Sequence, residues 1–344
     1  MRLLVFTQAL DRNDPVLGFF HRWVVEFAKN FSEVHVVALS VGEYDIPENV
    51  TVHSLGKESG AFRAKYIFNF YRFLFMLRGR YDAVFVHMNP EYVLLGGFLW
   101  RARRKKVALW YNHKKGSFFA RIAVAITDCI FYTSDQAYMS TVLKARMMPA
   151  GIDTTLFSPG DEKREKNSVL IVGRISPVKR VSDIVRAALK MNERGFLRQL
   201  HIVGSIPKRD RSYGDTIKRL AEPLVESGQA LFHGGVEIEA LPALYRNAEL
   251  YINATPAGSF DKTVLEAMAC GTLVLTSNSS FFSMLPESMQ CAEGDIDAMA
   301  HKAELLLSLP ETEKEALRSN LREQVVHKHS LEQLITEIQY ALYE

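Results

Sequence analysis

Ala257-Gly-Ser-Phe-Asp-Lys-Thr-Val-Leu-Glu-Ala-Met-Ala-Cys-Gly271 reads as a glycine-containing loop that runs into a short helix, with one carboxylate, Glu266, a turn inside. N–H groups of the loop and the helix start have no intrahelical acceptor, and the helix dipole favours negative charge beside them. Such a segment suits a nucleotide diphosphate. A carboxylate slightly deeper can accept hydrogen bonds from two neighbouring ribose hydroxyls. On this stretch alone a plain tight turn remains the alternative, and the surrounding chain decides between them.

Working outward, short β-rich runs alternate with helical patterns. In the first half, Leu3–Thr7, Val34–Leu39, Ala83–His87, Val107–Tyr111 and Cys129–Thr133 read as strands, with helices at Phe19–Lys29, Phe62–Leu77 and Tyr92–Arg101. The polar stretch Ser158-Pro-Gly-Asp-Glu-Lys-Arg-Glu-Lys-Asn167 interrupts the pattern and is the expected interdomain linker. Beyond it, strands at 169–172, 200–203, 230–233, 250–253 and 273–276 alternate with helices at 181–191, 215–226, 239–246 and 263–270. The tail from Ile296 to Glu344 reads as wholly helical. Alternation of this kind predicts an α/β chain of two Rossmann-like domains, each a parallel sheet covered on both faces, with a cleft between them. In such sheets ligands collect beyond the carboxyl ends of the strands, which is where each unusual cluster of this chain falls.

Ile171-Val-Gly-Arg-Ile-Ser-Pro-Val-Lys-Arg180 is the second such cluster. Gly173 gives the backbone room, and Arg174 and Lys179 bring two cations to a strand end. Fixed cations there stabilise the negative charge that develops on a departing diphosphate. Taken with 257–271, the segment resembles the donor site of retaining glycosyltransferases of the GT-B fold, family 4. That family's usual form is Glu-Gly-Phe-Gly-x-x-x-x-Glu-Ala-Met-Ala-x-Gly. Pro149-Ala-Gly-Ile-Asp-Thr-Thr-Leu-Phe-Ser-Pro159 is similar to the family's junction between domains. Ile202-Val-Gly-Ser205 and Glu239-Ala-Leu-Pro-Ala-Leu-Tyr-Arg-Asn-Ala248 follow in the expected order.

The resemblance implies a GT-B chain divided into an acceptor-side domain (1–157), the linker (158–167), a donor domain (168–325) and a C-terminal helix (326–344). It assigns Arg174 and Lys179 to the donor phosphates, and donor contacts to Gly173, Gly258, Ser259, Phe260, Asp261, Thr263, Val264, Leu265 and Glu266. Gly18, at a helix start, takes the position of a glycine near the donor phosphate. His113, in Leu109-Trp-Tyr-Asn-His-Lys-Lys-Gly116, matches a histidine that touches the donor sugar, so His113, Arg174 and Lys179 form the expected catalytic set. His87, at the end of the strand 83–87, is a candidate for the acceptor side. One departure stands out. Where the family carries its first glutamate this chain has Gly258, which bears on the sugar more than on the nucleotide.

Composition bounds the rest. With 344 residues the chain has room for two domains, and 48% hydrophobic with 24% charged residues is ordinary for a globular protein. Cys129, Cys270 and Cys291 form no Cys-x-x-Cys pair, so neither a disulfide framework nor a zinc framework is expected, and a reducing cytoplasm fits. The first residues read as a strand rather than a signal peptide, and no run is apolar enough to span a membrane. No His-Glu-x-x-His or Asp-x-Asp at a strand end is present, so metal independence is expected, in agreement with the resemblance. No cofactor is implied beyond the nucleotide-sugar co-substrate.

Charge is uneven: residues 1–150 hold 20 Lys and Arg against 12 Asp and Glu, and the remainder holds 22 against 27. The run Arg101-Ala-Arg-Arg-Lys-Lys106 lies near the aromatic segments 66–75 and 118–119, a combination that docks on anionic lipid headgroups. Packing of those aromatics on the sheet is the equal alternative. Nucleic acid is not expected, since no binding motif accompanies the charge. The expected activity is hexose transfer, with retention, from a UDP- or GDP-sugar to a hydroxyl on a glycan or lipid-linked acceptor in cell-envelope synthesis. Its expected place is the cytoplasm or the inner face of the membrane. Two alternatives share the fold: a sugar-nucleotide epimerase, which needs acid and base carboxylates, and a sugar-nucleotide-binding protein without turnover.

Overall fold

The structure is a computed structural model that describes residues 1–14, 16–258 and 260–344. The chain forms two compact units, residues 1–151 with 331–344, and residues 152–330.

The first unit runs β1 (Arg2–Leu10), α1 (Gly18–Asn30), β2 (Glu33–Val41), β3 (Val50–Ser54), α2 (Arg63–Met76), β4 (Ala83–His87), α3 (Pro90–Ala102), β5 (Lys106–Trp110), α4 (Phe118–Ile126), β6 (Cys129–Tyr132) and β7 (Ala145–Met147). Its sheet has the order β3-β2-β1-β4-β5-β6-β7, with every pairing parallel. Successive side chains of a strand face opposite ways. Accordingly Leu3 and Val5 join Phe20, Trp23 and Phe27 of α1 on one face, while Leu4 and Phe6 join Phe70, Val93, Trp100 and Ala123 on the other. Strands β3 and β7 and helix α4 escape the sequence pattern. The two strands are short sheet-edge pieces with few buried residues, and α4 is a nine-residue, mostly apolar piece with Arg121 as its one charged residue. Its start is set by Ser117, whose hydroxyl accepts from Ala120 N at 3.0 Å.

The second unit runs β8 (Glu165–Val172), α5 (Val181–Glu193), β9 (Gln199–Val203), α6 (Arg211–Glu226), β10 (Ala230–Gly234), α7 (Leu241–Asn247), β11 (Ala248–Asn253), α8 (Lys262–Ala269), β12 (Leu273–Thr276), α9 (Ile296–Ser308) and α10 (Glu311–His329). Its parallel sheet has the order β10-β9-β8-β11-β12. The order reverses between β8 and β11, which makes the gap beyond their carboxyl ends the switch point where open α/β sheets bind ligands.

The unit boundaries differ from the expected ones. The chain leaves the first unit at Gly151, and the charged stretch 158–167 lies inside the second. Its last three residues already belong to β8, because polar side chains at the start of a strand reach the sheet rim, where Glu165 accepts from His201 at 2.8 Å. Nor is the tail one helix. It breaks at Leu309-Pro310 and at Ser330, and the last piece, α11 (Leu331–Tyr343), returns to the first unit. Leu331, Leu334, Ile335, Ile338 and Leu342, spaced for one helical face, join the α1 side of that unit's core.

Candidate functional site

The carboxyl ends of β8 and β11 bring the two sequence clusters together. After β8, Gly173 takes φ +137°, a conformation open to glycine, and a Cβ there would meet Lys179 Cε at 3.2 Å. Its missing side chain makes room for the lysine. Arg174, half-buried, makes no ion pair or side-chain hydrogen bond among the described residues. After β11 the chain turns through Gly258, at φ +90°, whose N–H donates to Ser280 Oγ at 3.3 Å. Phe260 packs on Phe281, with ring centres 4.7 Å apart. Ser259 lies outside the described residues. Helix α8 then begins with no side-chain cap and no acid in its first turn, so its amide end is left for another anion.

Asp261 and Lys179 meet across the switch point. Lys179 Nζ donates to Asp261 Oδ2 at 2.5 Å, and the same oxygen accepts from Thr255 Oγ1 at 2.8 Å and Asn253 Nδ2 at 2.9 Å. Thr263 Oγ1 donates to Oδ1 at 2.9 Å. Burial works against the charge, but the Lys179 ammonium and these hydrogen bonds outweigh it and hold Asp261 at a pKa of about 2. The sequence treats Lys179 as a cation awaiting phosphate; the structure gives it a partner 82 residues away. No local signal announces that pairing.

Val264, Leu265 and Glu266 are buried in α8, where Tyr245 OH donates to Glu266 Oε2 at 3.0 Å. Burial raises Glu266 to about 7, against the opposing pull of that hydrogen bond and of Lys262. Burial likewise lowers Lys262 to about 7, with Glu266 opposing. The carboxyl at position 266 is therefore half-titrated near neutrality.

In the first unit, Gly18 opens α1 as expected, and no side chain fits there, since a Cβ would lie 2.8 Å from Arg12 O. Ahead of it the Asp14 carboxylate accepts from Val16 N (2.8 Å) and Leu17 N (2.7 Å). His113 follows β5 in an exposed loop, edge-on to Tyr111, and desolvation lowers its pKa, so the ring is neutral at pH 7. His87 requires a correction. It is 1% exposed, stacked on Phe20 at 4.2 Å and beside Thr7, so it is a core ring and not a lining residue. Its place at the end of a strand suggested the acceptor side; Phe19, Phe20 and Trp23 of α1 enclose it.

A cavity of about 920 Å³ opens at the opposite end of the second sheet, lined by Arg164, Glu249, Lys314, Arg318 and Arg322 among others. The cations named are committed to structure, Arg318 with Glu315 at 3.0 Å. Arg164 donates to carbonyls that end α7 and α8, among them Arg246 O at 2.8 Å and Gly271 O at 2.6 Å. Arg322 donates to Phe157 O and Ala269 O, and Lys314 pairs with Glu249 at 2.5 Å. Cations at helix carboxyl ends satisfy unpaired carbonyls and the dipole. No group of three or more His, Cys, Asp or Glu that could hold a metal occurs among the described residues.

Comparison with known proteins adds to this geometry. A family model described as "Glycosyl transferases group 1" matches residues 153–324, half of the chain. D-inositol 3-phosphate glycosyltransferase of Acidothermus cellulolyticus is 29% identical over 147 residues, covering 39% of this chain and 33% of the relative. The Mycolicibacterium smegmatis enzyme of that name is 32% identical over 136 residues, 37% of this chain and 30% of its own. The matched stretch thus spans about a third of the length of these curated relatives. Among solved structures, Anabaena Alr3699/HepE in complex with UDP and glucose aligns over 100% of both chains, with a TM-score of 0.78 and 14% identity. A glycosyltransferase from Rickettsia africae aligns over 99% of both, with a TM-score of 0.76 and 13% identity. At such identities the likeness shows the fold, which is the two-sheet GT-B architecture.

Proposed function

Since this chain belongs to the glycosyl transferases group 1, we propose that it moves a hexose from a UDP- or GDP-sugar to a hydroxyl acceptor with retention of configuration. The observation that carries this reading is the meeting, at one switch point, of Arg174, Lys179 and the uncapped start of α8. A donor diphosphate would lie against that helix end. Arg174 is the unpaired guanidinium that can fork onto phosphate oxygens, and Lys179 acts as a point charge. Glu266 would accept from the ribose hydroxyls. Both cations act most strongly as charge builds on the leaving diphosphate, so they lower the barrier more than they tighten binding. The diphosphate's own oxygen can then assist removal of the acceptor proton on the same face, with no protein nucleophile. Positive charge supplied by side chains also makes a divalent ion dispensable.

HepE was crystallised with UDP and glucose, which supports the nucleotide class for this chain and says nothing of its acceptor. For the acceptor we propose a lipid-linked or envelope glycan reached at an anionic membrane surface. Helices α2, α3 and α4 of the first unit carry the exposed aromatics Phe68, Phe75, Phe98, Phe118 and Phe119. They also carry Arg63, Lys65, Arg72, Arg101 and Arg121 against one acid, Glu91.

The test is transfer from radiolabelled nucleotide sugars to cell-envelope extract, with and without chelator. Activity in chelator is expected, with Lys179→Ala lowering kcat by roughly tenfold or more and raising KM less. Folded protein that transfers from no donor would overturn the reading.

A further inference from the structure

Asp261 is a carboxylate where the chemistry of a diphosphate site asks for none. It sits at the start of α8, 7% exposed, and its charge repels the anion that this helix end would attract. Lys179 keeps 18% of its side chain accessible, so the cation can be reached while its partner is enclosed. If Lys179 turns away, Thr255, Asn253 and Thr263 still donate to the carboxylate. Those three bonds keep a buried anion solvated, so the lysine can leave without stranding it.

We propose that Asp261 is an internal rival of the donor diphosphate for Lys179. In the empty site the pair is self-neutralised. On binding, the ammonium passes to phosphate oxygens; once the sugar has left, Asp261 takes it back and hastens departure of the nucleoside diphosphate. Asp261 is in this sense a positioning residue that acts through Lys179. The inference rests on the donor-site reading above and adds to it an exchange of partners.

Calorimetry and stopped-flow dissociation with UDP and GDP on the full chain test it. Asp261→Asn, which removes the charge and nearly keeps the shape, should bind the preferred diphosphate about tenfold tighter and release it more slowly. In a Lys179→Met background the gain from the same substitution should shrink to the part due to direct repulsion by Asp261. Asp261→Ser, a favoured helix N-cap, serves as the second variant, with thermal melts confirming that each protein is folded. Unchanged or weaker binding in folded Asp261→Asn and Asp261→Ser overturns the inference, as does tightening that is just as large without Lys179. Wild-type protein that binds neither nucleotide would instead overturn the donor-site reading itself.

Discussion

At Glu266 a single residue ties sequence, packing and titration together. Its position a turn inside α8 is legible in the motif, but its protonation is not. That depends on the buried faces of α8 and on Tyr245, which comes from α7. The folded pKa of about 7 lies above the ordinary 4.5. Between those values the folded protein holds a proton that the unfolded chain has released, so this group's contribution to stability falls as pH rises through the window. Glu266→Gln should therefore leave Tm nearly unchanged at pH 5 and raise it at pH 8. Equal shifts at both pH values would show that Glu266 titrates normally. Gly173, Arg174 and Lys179 were likewise visible as candidates, whereas the pairing of Lys179 with Asp261 requires β8 and β11 to lie side by side.

Among the elements, α10 and α11 show how one continuous helical reading divides. Helix α10 carries Glu311 and Glu313 in its first turn and His327, Lys328 and His329 in its last, a charge order that complements the helix dipole. Its buried face includes Lys314 and Arg318, and it packs partly through an ion pair, that of Lys314 with Glu249 of β11. Helix α11 packs chiefly through aliphatic side chains on the α1 face, with the Gln339 amide donating to Asn30 O. Leu334→Ala should destabilise the first unit by about 2–5 kcal/mol, the usual cost of a large-to-small change in a core. Urea denaturation followed at Trp23, which lies in the same cluster, would show the shift. A variant as stable as wild type would mean that α11 does not dock in solution. The alternation of strands and helices was readable because periods of two and 3.6 are local; β3, β7 and α4 were missed where that pattern is short or uniform.

Across the whole molecule, charge and aromatic residues are distributed with a bias that composition alone conceals. The aromatics of 66–75 divide: Phe70 is buried in the sheet-facing core, as the packing alternative expects, while Phe68 and Phe75 are exposed. No helix among the described residues is long and apolar enough to cross a membrane. Basic residues interspersed with exposed rings bind at an interface by charge and by insertion together. Phe98→Ser with Phe118→Ser should reduce co-sedimentation with vesicles containing anionic lipid, and raised salt should weaken what remains. Undiminished co-sedimentation of the double variant would remove this surface from the proposal.

The sequence by itself determined the α/β alternation, the two sheets and the places where glycine loops end strands. These follow from side-chain periodicity and turn chemistry within a few residues. Only the tertiary structure decided that the last helix rejoins the first unit, that His87 is a core ring, that burial raises the Glu266 carboxyl and that Lys179 is held by Asp261. Each of those outcomes depends on the burial and charge of groups distant along the chain, and packing alone brings them within a few ångströms.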